Sequence, residues 1–250
     1  IFVTNPRSWS GTRPSREAIR RFRAAREESG LGPVVVHLSY LPNLASPFRA
    51  EWRKSVRAFL EQVEDAAAIG ADFFVLHPGS SRGGRRHKAC PRVARALKRA
   101  LPHVRKGPVL LLENTAGAGS QLGGPPEDLA AIAEATRARE RVAVCFDTAH
   151  ALAAGTDLTR PGAMRAVRER YGRLFGFPAI RLIHLNDSKT ACGSGRDRHE
   201  HIGRGHLGED AFRDILHTPG LRRVPCILET PVDEAGDDAR NLAHARKLAE

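Results

Sequence analysis

The chain has no stretch approaching the ~18 uncharged apolar residues that a membrane span needs. Its first residues show neither a basic n-region nor an apolar h-region, so a soluble protein without an export signal is expected. Cysteine is scarce: Cys90, Cys145, Cys192 and Cys226 lie far apart, and Cys145 and Cys226 fall inside apolar runs that read as buried strands. A disulfide framework is therefore not expected, and a reducing cytoplasm fits. Internal repeats, heptads and low-complexity segments are also missing. Acidic residues are in deficit: 28 Asp plus Glu stand against 40 Lys plus Arg, a formal net charge of +12. Of the basic residues 34 are Arg, the side chain best suited to bidentate phosphate contact, which makes a polyanionic partner a candidate. An Arg-rich composition also follows from genome base bias. What is present in quantity is core-forming material: 41% hydrophobic residues over 250 positions exclude a fully solvated chain and suit one large domain.

Short aliphatic runs alternate with longer amphipathic stretches. The runs are Ile1 to Thr4, Val34 to Leu38, Phe73 to His77, Val109 to Glu113, Val142 to Asp147, Ile180 to His184 and Cys226 to Glu229. Between them the 3.6-residue periodicity predicts helices over Arg16 to Ser29, Phe48 to Ile69, Lys88 to Val104, Glu127 to Thr136, Gly162 to Phe175, Glu209 to His217 and Ala239 to Leu248. Continuous apolar strands are buried on both faces, the mark of a parallel sheet, and βα alternation leaves a doubly wound sheet or a barrel. No Gly-rich phosphate fingerprint follows any strand, and polar residues close nearly every strand instead of gathering at one switch point, which favours an α/β TIM (β/α)8 barrel. Such a barrel needs eight strands and seven are counted. The expectation is thus one domain over residues 1–250 that lacks its first βα unit, N-terminally incomplete, in keeping with an opening on Ile1 and not on Met. The segment SSRGGRRHK, Ser80 to Lys88, reads as a basic flexible loop.

The residues that close the runs carry the chemistry. They are His37, His77, Glu113, Asp147, His184 and Glu229, all metal-ligand types. With 28 Asp plus Glu and 11 His among 250 residues, six in succession by chance is an event on the order of one in 10⁵, or about one in 10³ once loose strand ends are allowed for. A barrel gathers its strand ends into one ring, where so many polar groups would be costly without a cation. A mixed imidazole and carboxylate set with no Cys at those positions points to Zn²⁺, and less strongly to Mn²⁺ or Fe²⁺, and the number of ligands implies more than one ion. A second cluster supports this: His150 follows Asp147 by three residues, and Asp197 and His199, two apart on an extended segment, point the same way and can share an ion. The remaining histidines, His87, His103, His201, His206, His217 and His244, read as solvated.

Several segments resemble the endonuclease IV family of apurinic/apyrimidinic endonucleases. They are Tyr40-Leu41-Pro42-Asn43-Leu44-Ala45 after His37, the H-P-G-S of His77 to Ser80, Glu113-Asn114-Thr115-Ala116-Gly117, Asp147-Thr148-Ala149-His150, the run HLNDSKTACGSGRDRH from His184 to His199, and the I-L-E-T of Ile227 to Thr230. The resemblance runs from Phe2 to the C-terminus. It implies a trinuclear zinc TIM barrel in which His37, His77 and Glu113 hold one zinc. Glu113 then bridges to a second, held with Asp147, His184 and Glu229, and His150, Asp197 and His199 hold the third. It further implies DNA contacts from Asn5, Arg7 and Trp9 in a first loop, Tyr40 and Leu41 in a second, and Arg198. Pro42, Ala149, Pro6, Ser8 and Glu200 depart from the usual pattern, and none is a ligand.

By the same resemblance the activity is hydrolysis of the phosphodiester 5′ of an abasic site, leaving a 3′-hydroxyl and a 5′-deoxyribose phosphate, together with trimming of blocked 3′ ends in base excision repair. The expected partner is double-stranded DNA, met by a monomer. Closely spaced ions suit in-line displacement at phosphorus, and Glu229, with Glu113, would be catalytic, Glu229 orienting the attacking water. An abasic nucleotide lacks stacking and costs less to extrude, and Arg7, Tyr40 and Leu41 would fill the vacated stack. Two other readings compete. A sugar isomerase or epimerase on such a barrel also uses His, Asp and Glu at strand ends, but requires neither the Asp197-Arg198-His199 segment nor a charge of +12. A DNA-binding protein that has lost catalysis would be expected to have lost ligands.

Overall fold

The computed structural model describes residues 1–9, 11–138 and 141–250. They form two compact units, one of Ile1–Leu112 with Ala131–Ala143, the other of Glu113–Ala130 with Val144–Glu250.

The first unit opens on α1 (Arg16–Ser29), where Ser15 caps the helix by accepting from the Ala18 N–H at 3.1 Å and Gly30 ends it at φ +60°. Strands β1 (Val35–His37), β2 (Phe73–Leu76) and β3 (Val109–Glu113) alternate with α2 (Arg49–Ile69) and α3 (Arg86–Ala100), the latter running into a 3₁₀ turn at Leu101–Val104. β1 pairs with β2 and β2 with β3, all parallel. α2 buries Val56, Phe59, Val63 and Ala66, the spacing of one helical face. Phe59 meets Phe74 of β2 edge-on with ring centroids 5.8 Å apart. The run Ile1 to Thr4 is not a strand. Only Ile1 joins the ladder, its terminal amine donating to Val35 O and its carbonyl accepting from His37 N, each at 2.9 Å, and the chain then turns away into a loop. The segment from Ser80 is a loop only as far as Arg85; Arg86 to Lys88 already belong to α3.

In the second unit α4 (Pro126–Thr136), which the chain shares between the units, precedes β4 (Val142–Asp147), α5 (Thr148–Ala153), α6 (Ala163–Phe175) and β5 (Ile180–His184). An antiparallel ribbon of β6 (Asp187–Ser188) and β7 (His199–Glu200) follows, then α7 (Gly208–His217), β8 (Cys226–Ile227) and α8 (Asp237–Leu248). β4 is buried along its whole length, as a strand covered on both faces must be. β5 pairs in parallel with β4 on one side and β8 on the other. Tyr171 of α6 closes over Phe146 with centroids 5.8 Å apart. The sequence pattern misses α5, which is short, and the ribbon, whose residues are polar. β8 is two residues long, not four, and Cys226 is exposed, contrary to its expected burial. All four cysteines are free. No helix among the described residues is long and apolar enough to cross a membrane.

Candidate metal centre

Strand register in the second unit brings ligand types side by side. Asp147 is the register partner of His184, and His184 that of Ile227, so Glu229 stands two residues past the end of β8. Glu113, Asp147, His150 and His184 are buried, none more than 3% exposed. Glu229 and Asp197 keep side-chain exposures of 39% and 51%, so the cluster has an open side formed by carboxylates.

Two groups of ligand atoms converge. In one, His184 Nδ1 lies 3.0 Å from Glu113 Oε1, 3.1 Å from Glu229 Oε2 and 4.0 Å from Asp147 Oδ2. In the other, Asp197 reaches His150 Nε2 at 3.1 Å with one oxygen and His199 Nε2 at 3.2 Å with the other, and His199 Nε2 is 3.8 Å from Asp147 Oδ2. Ligands about 2.0 to 2.1 Å from a tetrahedral zinc are about 3.3 Å from one another, so most of these separations match the edges of a coordination polyhedron. The tautomers agree. His150 Nδ1 is taken up by Asn114 O and His199 Nδ1 by Glu229 O, both at 2.9 Å, which aims each Nε2 inward. His199 Nε2 is buried without a hydrogen-bond partner, the state expected of an atom whose partner is an ion.

The electrostatics of the ion-free cluster say the same. Burial pulls the His150 imidazole down, but the Asp147, Asp197 and Glu113 carboxylates outweigh it and hold its pKa well above the ordinary value. His184 is raised well above the ordinary value against its burial by Cys145 and Glu113, and His199 to about 9 against its burial by Asp197 and Asp147. Asp197 is lowered, its burial overcome by His150 and His199. The anionic groups of the cluster favour the charged form of buried His150 and His184 and of half-buried His199, a demand that a divalent cation would also satisfy. Cys145 also lies within reach of Glu113 and His184, but burial pushes its thiol up to about 12, which disfavours the thiolate a metal requires.

In the first unit His37 and His77 stand at the ends of adjacent parallel strands with ring centroids 5.3 Å apart, and His37 Nδ1 bonds Leu38 O at 2.8 Å. Gly79 follows at φ +99°, where a Cβ would collide with Asn43 Oδ1. The loop residues of the first unit lie together: Tyr40 N donates to Pro6 O at 3.0 Å. Asn5 and Arg7 are exposed in a tight turn closed by Arg7 N on Asn5 Oδ1 at 2.9 Å. Tyr40 is 64% exposed and leans edge-on against Phe2, while Leu41 is half-buried. Trp9 is exposed under the ammonium of Lys54, 4.2 Å from its ring. In the second unit Arg198 is exposed beside the ligand segment, bonded to its neighbour's carbonyl. Of the histidines expected to be solvated, His103 and His244 have carboxylate partners, and His201 is half-buried between Asn241 and Asp233.

Sequence reasoning passed over the residues that hold the ligands. Asn114 grips the end of β4, its amide donating to Asp147 O at 2.9 Å and accepting from Asp147 N at 2.7 Å. Asn186 donates to Asp147 Oδ2 and accepts from Glu229 N, both at 2.7 Å. Asp187, fully buried, accepts from the N–H groups of Ser188, Gly205, Leu207 and Gly208. Each sits directly after a strand-end ligand or within three residues of one, and that adjacency was the available signal.

Residues 1–249 match the model of a family described as Xylose isomerase-like TIM barrel. "Probable endonuclease 4" of Methanoculleus marisnigri is 44% identical over 250 residues, covering 100% of this chain and 89% of its own. The crystal structure of endonuclease IV from Thermus thermophilus superposes at a TM-score of 0.86 with 38% identity, over 99% of this chain and 87% of that one. A D-tagatose 3-epimerase-like protein matches 94% of this chain and 84% of its own at a TM-score of 0.70 but only 19% identity, a likeness of fold alone.

Proposed function

The chain belongs to the endonuclease IV family of TIM-barrel enzymes, and on that premise we propose that it is a zinc-dependent apurinic/apyrimidinic endonuclease of base excision repair. It hydrolyses the phosphodiester 5′ of an abasic nucleotide, leaving a 3′-hydroxyl and a 5′-deoxyribose phosphate, and trims blocked 3′ ends. The observation that carries this is the convergence of Glu113, Asp147, His184 and Glu229 beside a second set of Asp147, His150, Asp197 and His199.

These side chains would hold divalent ions, whose Lewis acidity and positive charge would serve hydrolysis at phosphorus. His150, Asp197 and His199 form one ligand set, and Glu113, Asp147, His184 and Glu229 another. His37 and His77 are the residues that the family's pattern assigns to the remaining zinc. The rest falls to the chain's own groups. Glu229, half-open to solvent and anchored through its backbone by Asn186, orients the attacking water and can accept its proton, with Glu113 held behind it by His184. Arg7, Tyr40 and Leu41 enter the gap left by the missing base, with Asn5, Trp9 and Arg198 on the same substrate. Free cysteines support a reducing cytoplasmic setting. We take residues 1–250 to act as one domain and a monomer.

The test is a nicking assay on an abasic duplex and on the same duplex undamaged, with and without chelator. Nicking 5′ of the lesion alone, lost on chelation and restored by zinc, is expected; equal cutting of both duplexes, or chelator-resistant activity, would overturn the proposal.

A further inference from the structure

The net charge of the chain is not spread over it. Residues 73–112 hold ten of the 40 Lys and Arg residues and none of the 28 Asp and Glu residues, leaving 30 basic against 28 acidic in all the rest. Ten of the twelve net positive charges thus fall between the start of β2 and the last residue before Glu113. An excess arising from base composition alone would have no reason to collect there.

The placement of these charges within the first unit is equally uneven. The loop leaves β2 just after His77 and carries Arg82 and Arg85, and α3 then begins with Arg86-His87-Lys88. α3 turns Ala89, Cys90, Val93, Ala94, Ala96, Leu97 and Ala100 inward. Lys88, Arg95, Lys98 and Arg99 are exposed on its other side, with Arg92 half-buried between them. Lys88 to Arg99 spans about 16 Å of helix, the axial rise of about five base pairs. Two of the guanidinium groups are held in place: Arg92 Nε donates to Ala45 O at 2.9 Å, and Arg95 lies 4.7 Å over the Trp52 ring. Arg82 meets Glu51 of α2 at 3.0 Å, and His103 meets Glu64 at 3.2 Å. Like charges three and four residues apart weaken a helix, so the stripe works against folding and calls for another reason.

We propose that the loop over residues 82–85 and the solvent face of α3 bind the phosphate backbone of duplex DNA flanking the lesion, without reading its sequence. The choice of occupant rests on the endonuclease reading. Cations on a helix face and an adjoining loop match a regularly spaced polyanion, and contacts to phosphate add affinity equally for damaged and undamaged DNA.

The test uses the zinc-loaded protein and an undamaged duplex, which is bound without being cut. Arg85→Gln/Lys88→Gln and Lys98→Gln/Arg99→Gln are made as separate pairs and combined, each checked by thermal unfolding. Arg16→Gln/Arg20→Gln/Arg21→Gln/Arg23→Gln on α1 is the control of equal charge change. Each lost phosphate contact lowers the slope of log Kd against log salt by about 0.9. The combined variant should lose about two units or more, with weaker binding of abasic and undamaged duplex alike and an unchanged kcat at saturating abasic DNA; the control should keep the wild-type slope. An unchanged slope in the pairs and the combination, or an equal loss in the control, overturns the proposal. Wild-type protein that fails to nick abasic DNA while the slopes differ as expected sinks the endonuclease reading alone.

Discussion

The side-chain amide of Asn186 donates to Asp147 Oδ2 at 2.7 Å while its carbonyl oxygen accepts the Glu229 backbone N–H at 2.7 Å. One buried amide thus ties the end of β4 to the segment after β8, the two places from which carboxylates of the same ligand set project. Asp147 Oδ1 is held too, accepting from His150 N at 2.7 Å as the N-cap of α5. The carboxylate is fixed at both oxygens before any ion arrives, and such support sets a ligand's orientation and basicity.

Asn186→Ala should therefore weaken metal binding without removing a ligand. A fall of about 10- to 100-fold in zinc affinity is expected, measured by competition against a chromophoric chelator, with activity recovered at high zinc. Unchanged affinity would mean that Asp147 and Glu229 need no such brace.

Glu229→Gln keeps the shape of the side chain and removes its charge. Single-turnover cleavage of an abasic duplex should drop by about 10²- to 10⁴-fold, while equilibrium binding of the same duplex stays within a few fold. Full residual cleavage would remove Glu229 from its role at the attacking water.

Much of this was legible in the sequence because several candidate ligands close a strand: β3, β4 and β5 end on Glu113, Asp147 and His184, as the apolar runs predict. Helix α1 also spans Arg16–Ser29, as the periodicity predicts. The shortfalls share a physical cause. Asn114, Asn186 and Asp187 act mainly through groups distant in the chain, so neither periodicity nor ligand chemistry marks them. The Ile1 to Thr4 run has the composition of a strand, yet only its first residue finds a partner. The ribbon of β6 and β7 is two polar residues on each side, paired through the backbone, and leaves no hydrophobic pattern to read.

Protonation and metal binding compete for the same imidazoles. In chelated protein the pKa of His199 is raised to about 9, and those of His150 and His184 are raised well above 6.5. A raised folded-state pKa gives stability that is full below the unfolded value near 6.5 and is lost as pH rises through the folded value. The chelated protein should thus melt lower at about pH 9.5 than at about pH 6.5. With zinc that loss should disappear over the same window, because coordinated imidazoles are neutral, as unfolded imidazoles are above about pH 6.5, so neither state exchanges protons there. Parallel melting curves with and without zinc at the two pH values check this; the same slope in both would show that the imidazoles do not hold the metal.

Asp187 offers the sharpest separation of fold from site. Its buried carboxylate accepts from Ser188 N at 2.8 Å, Gly205 N and Leu207 N at 2.9 Å and Gly208 N at 3.3 Å. It thereby ties β6 to the start of α7 and closes the loop that carries Asp197 and His199. Asp187→Ala strands several buried donors, each worth about 1–3 kcal/mol when unsatisfied, so a loss of about 3–5 kcal/mol is expected in denaturant unfolding. Asp187→Asn keeps an acceptor and should lose less. Because the loop carries two of the ligands proposed for the third ion, dialysed Asp187→Asn should retain about two zincs where wild-type retains about three by elemental analysis. Full zinc content in a destabilised Asp187→Asn would show that the loop's ligands are held by the metal and not by this carboxylate.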